Sequence, residues 1–292
     1  MKKITETRHK LSENLDTMTT ADILHLMNNE DMSIPAIIKN HLKNIEKVIE
    51  NVVSSFDKGG RLFYIGCGSS GRLGILDASE CPPTFKVNKT LVQGIIAGGK
   101  NAVFQSIEGA EDSYDSGYNI CEENNINSND SVIGISASGN APFVLGALKY
   151  ASEKNAFSSL LTFNQIEHLE YIDIALEIIT GPEIISGSTR MKAGTATKMI
   201  LNMISTISMI KSNKVYKNYM VDLKISNNKL KRRAINMLNE ILDISDSKSE
   251  ELLLHSNGNI KAAIIMYTLN INNHDANKLL ADNIGDLRKI IE

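Results

Sequence analysis

At 292 residues, with 42% hydrophobic and 22% charged residues, the chain has the balance of a soluble globular protein whose core needs no disulfide or structural metal. That length fits one large domain, or a domain of about 200 residues with a smaller appendage. A net charge of −3 gives no electrostatic reason to expect a nucleic acid as the general partner. Three cysteines (Cys67, Cys81 and Cys121), without a CxxC pair or a histidine-rich neighbourhood, fit a reducing compartment and argue against a zinc site. The opening "MKKITETRHKLSENLD" lacks the apolar centre of a secretory signal, and no apolar run approaches the ~18 residues of a membrane span. The expectation is a cytoplasmic protein with no membrane contact.

In chain order, residues 1–33 are polar, with a helix-start signal at Thr19-Thr20-Ala21-Asp22, and are expected to form an arm packed on something else. From Ile34 to Phe56 apolar positions recur in steps of three and four, which predicts one amphipathic helix ended by Gly59-Gly60. Short apolar runs then predict strands at 62–65, 92–97, 132–136, 159–163 and 174–179. Between and after them, helices are expected at 71–78, 102–108, 115–123, 141–152 and 191–211. Such alternation implies βαβ units: an α/β fold with a doubly wound, mainly parallel five-stranded sheet. After about residue 223 the texture changes to short helical patterns broken by Asn, Gly, Asp and Ser, read as a small C-terminal unit of three helices. The expected organisation is an arm at 1–56, the α/β domain at 57–222 and the helical domain at 223–292.

Ligands of such sheets bind at the carboxyl ends of the strands. The first strand runs into Gly66-Cys67-Gly68-Ser69-Ser70-Gly71, which matches the GxGxxG turn of dinucleotide-binding folds. The acid that would bind a ribose should end the second strand, but that strand finishes in Ala97-Gly98-Gly99. The alternative is an anion cradle, with backbone N–H groups and the helix dipole facing a phosphate and Ser69 and Ser70 adding donors. A second strand-to-helix loop, "GISASGNAPF", offers Ser136, Ser138, Gly139 and Asn140. Either loop alone could be ordinary helix capping; two of them in one sheet favour a shared phosphate ester. A third stretch, "SGSTRMKAGTATK", puts Arg190 and Lys192 beside hydroxyls at a helix start, which reads equally as an N-capped, solvated end.

Two carboxylates stand out. Glu80, in "DASECPPTF", precedes Pro82-Pro83, whose fixed φ stiffens the backbone after it. Glu111, in "IEGAEDS", lies beside Glu108 and Asp112 and by itself reads more readily as an acidic surface turn. If both reach the phosphate pocket they form an acid/base pair, able to remove a proton next to a carbonyl and to protonate a leaving oxygen.

Four segments in order, "GCGSSGRLGILDASECPPTF", "IEGAEDS", "GISASGNAPFVLGAL" and "GPEIISGSTRMKAGTATKMILNM", resemble the N-acetylmuramic acid 6-phosphate etherase family of the sugar-isomerase (SIS) superfamily. The resemblance runs from "TETRHKLSENLD" to the C-terminal helices. It implies cleavage of a D-lactyl ether to N-acetylglucosamine 6-phosphate and D-lactate, in recycling of cell-wall sugars, without metal or cofactor, by a homodimer with sites near the interface. It places the catalytic pair on Glu80 and Glu111, and the phosphate-binding serines on Ser69-Ser70 and on Ser136 to Ser138. Ala141 stands where the family often carries Thr, so phosphate binding should rest on Ser136, Ser138, Gly139 and Asn140. A phosphosugar isomerase and a non-catalytic phosphosugar-binding regulator are the alternative readings.

Overall fold

The computed structural model describes residues 3–223, 225 and 227–292. After short 3₁₀ turns at Ile4–Glu6, Lys10–Ser12 and Leu15–Thr17 come two α-helices, α1 (Thr20–Lys39) and α2 (Leu42–Asp57). Thr19 caps α1 by accepting a hydrogen bond from Asp22 N, so the helix-start signal is real and opens a twenty-residue helix within the expected helical arm. The single helix expected from residue 34 to 56 is corrected to two, broken at Asn40-His41. The spacing hides the break, because the step from Ile38 to Leu42 is still four residues. Ile34 and Ile38 are buried on α1, and Ile45, Val48, Ile49 and Val52 on α2, whereas Leu42 is 46% exposed.

Next come β1 (Leu62–Gly66), α3 (Gly68–Phe85), β2 (Val92–Ile96), α4 (Asn101–Phe104) and α5 (Tyr114–Glu123). They are followed by β3 (Ser131–Ile135), α6 (Pro142–Glu153), β4 (Phe157–Thr162), β5 (Ile174–Glu177) and α7 (Lys192–Lys211). All five strands are parallel, in the order β2-β1-β3-β4-β5. The expected doubly wound α/β sheet is therefore present. β1 and β3 are central and buried throughout, as near-continuous apolar strands covered on both faces must be.

Side-chain alternation sorts the helices onto two faces. A Cβ on Gly74 of α3 would meet Tyr64 at 2.9 Å, so α3 covers the Tyr64 face of β1. A Cβ on Gly134 would meet Val144 and Leu148 of α6 at 2.6 and 2.9 Å, so α6 covers the other. There Phe63, Ile65, Val132, Val144, Ala147 and Leu148 build one core. Helices α5 and α6 approach at glycines: a Cβ on Gly117 would lie 1.8 Å from Phe143 O, and one on Gly146 2.2 Å from Tyr114 O.

Two further expectations are corrected. The helix expected at 102–108 is only the four residues of α4. The helix expected to stop at 78 continues to Phe85, so Glu80 lies on α3 and not in a turn after it. Pro82 and Pro83 keep helical geometry here although they leave the carbonyls of Ala78 and Ser79 without their i+4 donors.

Contacts group Met1–Ser79 with Lys89–Ser208, and Glu80–Asn88 with Met209–Glu292. The second unit contains α8 (Asn228–Leu242), α9 (Asp246–His255), α10 (Ile260–Leu269), α11 (Asn273–Asp282) and α12 (Leu287–Ile291), five helices where three were expected. Its core is built from Leu238, Leu253, Ile260, Ile264 and their neighbours. Lys261, 4% exposed, donates to Asp222 Oδ2 and to the carbonyls of Asn213 and Gly285. Burial pushes its ammonium below the usual lysine range, against the pull of Asp222.

Candidate active site

Because α3 and α6 leave neighbouring strands on opposite faces, the sheet reverses its winding between β1 and β3. A crevice opens at such a point, beyond the carboxyl ends of the strands. The two serine loops flank it. In the first, Gly66 and Gly71 touch back to back: a Cβ on Gly66 would lie 2.7 Å from Gly71 N, and one on Gly71 2.7 Å from Gly66 O. These glycines let α3 start directly against the strand end. Gly68, at φ +51°, has open space around its Cβ direction. Ser69 and Ser70 are half-buried in the first turn of α3. After β2, Ala97 N bonds Gly66 O and two left-handed glycines, Gly98 and Gly99, follow.

In the second loop Ser136 is 3% exposed, and its hydroxyl accepts Ala141 N at 3.3 Å and lies 3.3 Å from Ser138 Oγ. Ala141 has no side-chain oxygen to cap α6, and Pro142 follows at the first helical position. Ser136 therefore helps close the helix start as well as facing the loop. Ser138, Gly139 and Asn140 line a cavity of about 690 Å³ together with Lys3, Thr7 and Asn164. Asn164, 2% exposed, ties the N-terminal arm to this loop. Its Oδ1 accepts Ile4 N at 2.6 Å and Thr5 N at 3.3 Å, while its Nδ2 donates to Thr5 Oγ1 at 3.0 Å and Ala137 O at 2.9 Å.

Glu111 sits in a short 3₁₀ turn, Ala110–Asp112, entered through left-handed Gly109. It lines a second cavity, of about 310 Å³, with Cys67, Gly68, Arg72 and Glu108. Burial, then the charges of Glu111 and Asp112, push the Cys67 thiol up to about 12, which favours its protonated form at neutral pH. Glu80 is exposed on α3, three helical turns beyond Ser69.

The third stretch divides. Arg190 is exposed, whereas Lys192 is 3% exposed, with its Nζ 2.6 Å from Glu30 Oε2. The other Glu30 oxygen meets His9 Nε2 at 3.1 Å. Burial opposes the charge on Glu30, but the hydrogen bond and charge of Lys192, then those of His9, outweigh it and hold the carboxyl below its usual range. Glu183, 1% exposed, caps α7 by accepting Lys192 N at 3.0 Å and Ala193 N at 2.9 Å. The arm is held here too: Gly187 N donates to Thr5 O at 3.1 Å and Ser186 Oγ to Thr7 O at 3.2 Å. Sequence reasoning missed His9, Glu30, Asn164, Glu183 and Arg72. Asn164 and Glu183 are buried and His9, Glu30 and Arg72 half-buried, and what marks all five is the partners they meet, which is a tertiary property.

A parallel sheet with serine loops on both sides of its switch point fits a domain of the sugar-isomerase (SIS) class. A family model described as the glucokinase regulatory protein N-terminal SIS domain matches residues 44–152, and one for that protein's C-terminal lid domain matches 217–283. An N-acetylmuramic acid 6-phosphate etherase of Geobacillus sp. (strain WCH70) is 45% identical over 289 residues, 99% of this chain and 98% of that one. N-acetylmuramic acid 6-phosphate etherase 1 of Bacillus licheniformis is 46% identical over 288 residues, 98% and 95% of the two chains. The chain belongs to the N-acetylmuramic acid 6-phosphate etherase family. Among solved structures, the phosphoheptose isomerase of Neisseria gonorrhoeae overlays at a TM-score of 0.46 with 13% identity, covering 65% of this chain and 98% of that one.

Proposed function

We propose that this chain cleaves the D-lactyl ether of N-acetylmuramic acid 6-phosphate, giving N-acetylglucosamine 6-phosphate and D-lactate. The observation that carries this reading is likeness to named etherases over nearly the whole of both chains. The chemistry sets what the residues must do. An unactivated ether leaves poorly, so the pyranose opens to its aldehyde, which acidifies the proton on carbon 2. The lactyl oxygen on carbon 3 is beta to that carbon and departs as the carbanion collapses. Water then adds across the new double bond. One carboxylate takes the proton and another protonates the departing oxygen, each step worth roughly 100- to 10,000-fold.

Glu111 is assigned the carbon 2 proton and Glu80 the leaving oxygen. Ser69, Ser70, Ser136, Ser138, Gly139 and Asn140 are assigned to the sugar phosphate. Arg190 and Lys192 are assigned to the same ligand, with Lys192 already paired to Glu30. The cavity beside Glu111 and the serine loops at the switch point support the roles of Glu111 and the serines, whereas Glu80 does not line that cavity and its role rests on the family resemblance. No redox cofactor or metal enters the scheme. The working form is a cytoplasmic homodimer, and Phe104 (90% exposed) and Leu76 (51%) offer apolar side chains a second copy could cover. No described helix is long and apolar enough to cross a membrane.

The test is D-lactate release from the 6-phosphate sugar by purified protein. An isomerase or a phosphosugar-binding regulator releases none. Glu80→Ala should lose lactate release yet still exchange the carbon 2 proton with solvent, and full lactate release by that variant would remove Glu80 from its role. Ser138→Ala should raise KM for the sugar phosphate, and unchanged kinetics would remove Ser138.

A further inference from the structure

We infer that Arg72 is the positioning residue for Glu111, an assignment that rests on the proposed role of Glu111 as the base at carbon 2. Arg72 lies on the second turn of α3, in the same segment as the glycine turn but outside its pattern. Its guanidinium is forked across two backbone carbonyls: Nε donates to Val103 O at 3.0 Å and Nη2 to Gln105 O at 3.0 Å. Those carbonyls belong to the end of α4, a helix of one turn that cannot satisfy its own last acceptors. A cation at that end also opposes the negative pole of the turn.

The chain runs from Gln105 through Ser106, Ile107, Glu108 and left-handed Gly109 straight into the 3₁₀ turn that carries Glu111. Phe104 is 90% exposed and Ala102 is the buried residue of α4, so the fork adds a directional tether from the end of this helix to α3. The same α3 begins with Gly68, and Gly68, Arg72 and Glu111 line one cavity. Arg72 thus couples the glycine turn, where a sugar phosphate is expected, to the height and direction of the carboxylate. A lysine keeps the charge but cannot bond both carbonyls in a plane.

The test uses the full-length protein and the variants R72K, R72Q, E111Q and R72K/E111Q. Lactate release and exchange of the carbon 2 proton in deuterated water are both followed. With a base displaced by about an ångström, kcat and the exchange rate should fall together by roughly 100-fold, with KM little changed. R72K should be as impaired as R72Q, and R72K/E111Q no slower than E111Q. Wild-type rates in R72Q, full rescue by R72K, a change in KM alone, or additive losses in the double variant would each overturn the assignment. Amide hydrogen exchange reads the tether without turnover: R72K should speed exchange in peptides spanning 101–112, and unchanged exchange there overturns it. Should the wild-type protein release no lactate, the activity reading falls, and the amide exchange still decides whether Arg72 holds the loop.

Discussion

Replacing Asn164 by alanine should free the N-terminal arm from the serine loop of β3. The substitution removes four hydrogen bonds, two accepted from Ile4 N and Thr5 N and two donated to Thr5 Oγ1 and Ala137 O. At about 1 kcal/mol net for each, and little for the 3.3 Å contact, the direct loss is roughly 3 kcal/mol. Thr5 is 1% exposed, so its hydroxyl and amide must either stay dry and unpaired or pull the arm into water. Lifting the arm returns its conformational entropy and limits the global loss to the arm's own docking energy, giving roughly 2–3 kcal/mol. For a unit of this size that lowers the melting temperature by roughly 5–10 °C. Circular dichroism melts and the rate of tryptic cleavage after Arg8 and Lys10 report the two consequences separately. KM for the sugar phosphate should also rise, because Lys3 and Thr7 line the cavity that Ser138 and Asn140 share. An unchanged melt together with an unchanged cleavage rate would refute the view that Asn164 holds the arm.

Glu30, whose carboxyl is held low in the folded state, contributes stability that is complete above its ordinary value of 4.5 and lost as pH falls through the lower folded value. Melting temperature should therefore fall less steeply below that pH in Glu30→Gln than in the wild-type protein. Glu183→Ala removes both acceptors at the start of α7 and should cost roughly 2 kcal/mol, measured by urea unfolding. Gly146→Ala brings a Cβ to 2.2 Å from a backbone oxygen that no side-chain rotation can move. Its cost should reach or exceed the upper end of the roughly 1–3 kcal/mol range for overpacking, read as lost soluble yield or a depressed urea midpoint.

The strands were legible because a buried parallel strand must be apolar at nearly every position, and β1 and β3 are. Helix limits were less so. The break at Asn40-His41 preserves a step of four, and α3 runs through two prolines that local rules read as a stop. The candidate site shows the same division. Both serine loops carry recognisable residue types at strand ends and Glu111 lies in a recognisable acidic motif, whereas Lys192 reads as a solvated cation and is in fact paired, buried, with Glu30.

The sequence by itself determined the α/β class, the five strands, the family and the residues that its motifs single out. These depend on local periodicity and on residue identity at short range. Only the tertiary structure decided the strand order and hence the crevice between β1 and β3, the seat of Glu80 on a helix, and the pinning of the arm by Asn164, Glu30 and the Ser186-Gly187 loop. The same holds for the fork of Arg72 on the Glu111 loop. Apart from the seat of Glu80, each of these joins residues far apart in the chain through directional bonds, and no spacing along the chain encodes which donor will meet which acceptor.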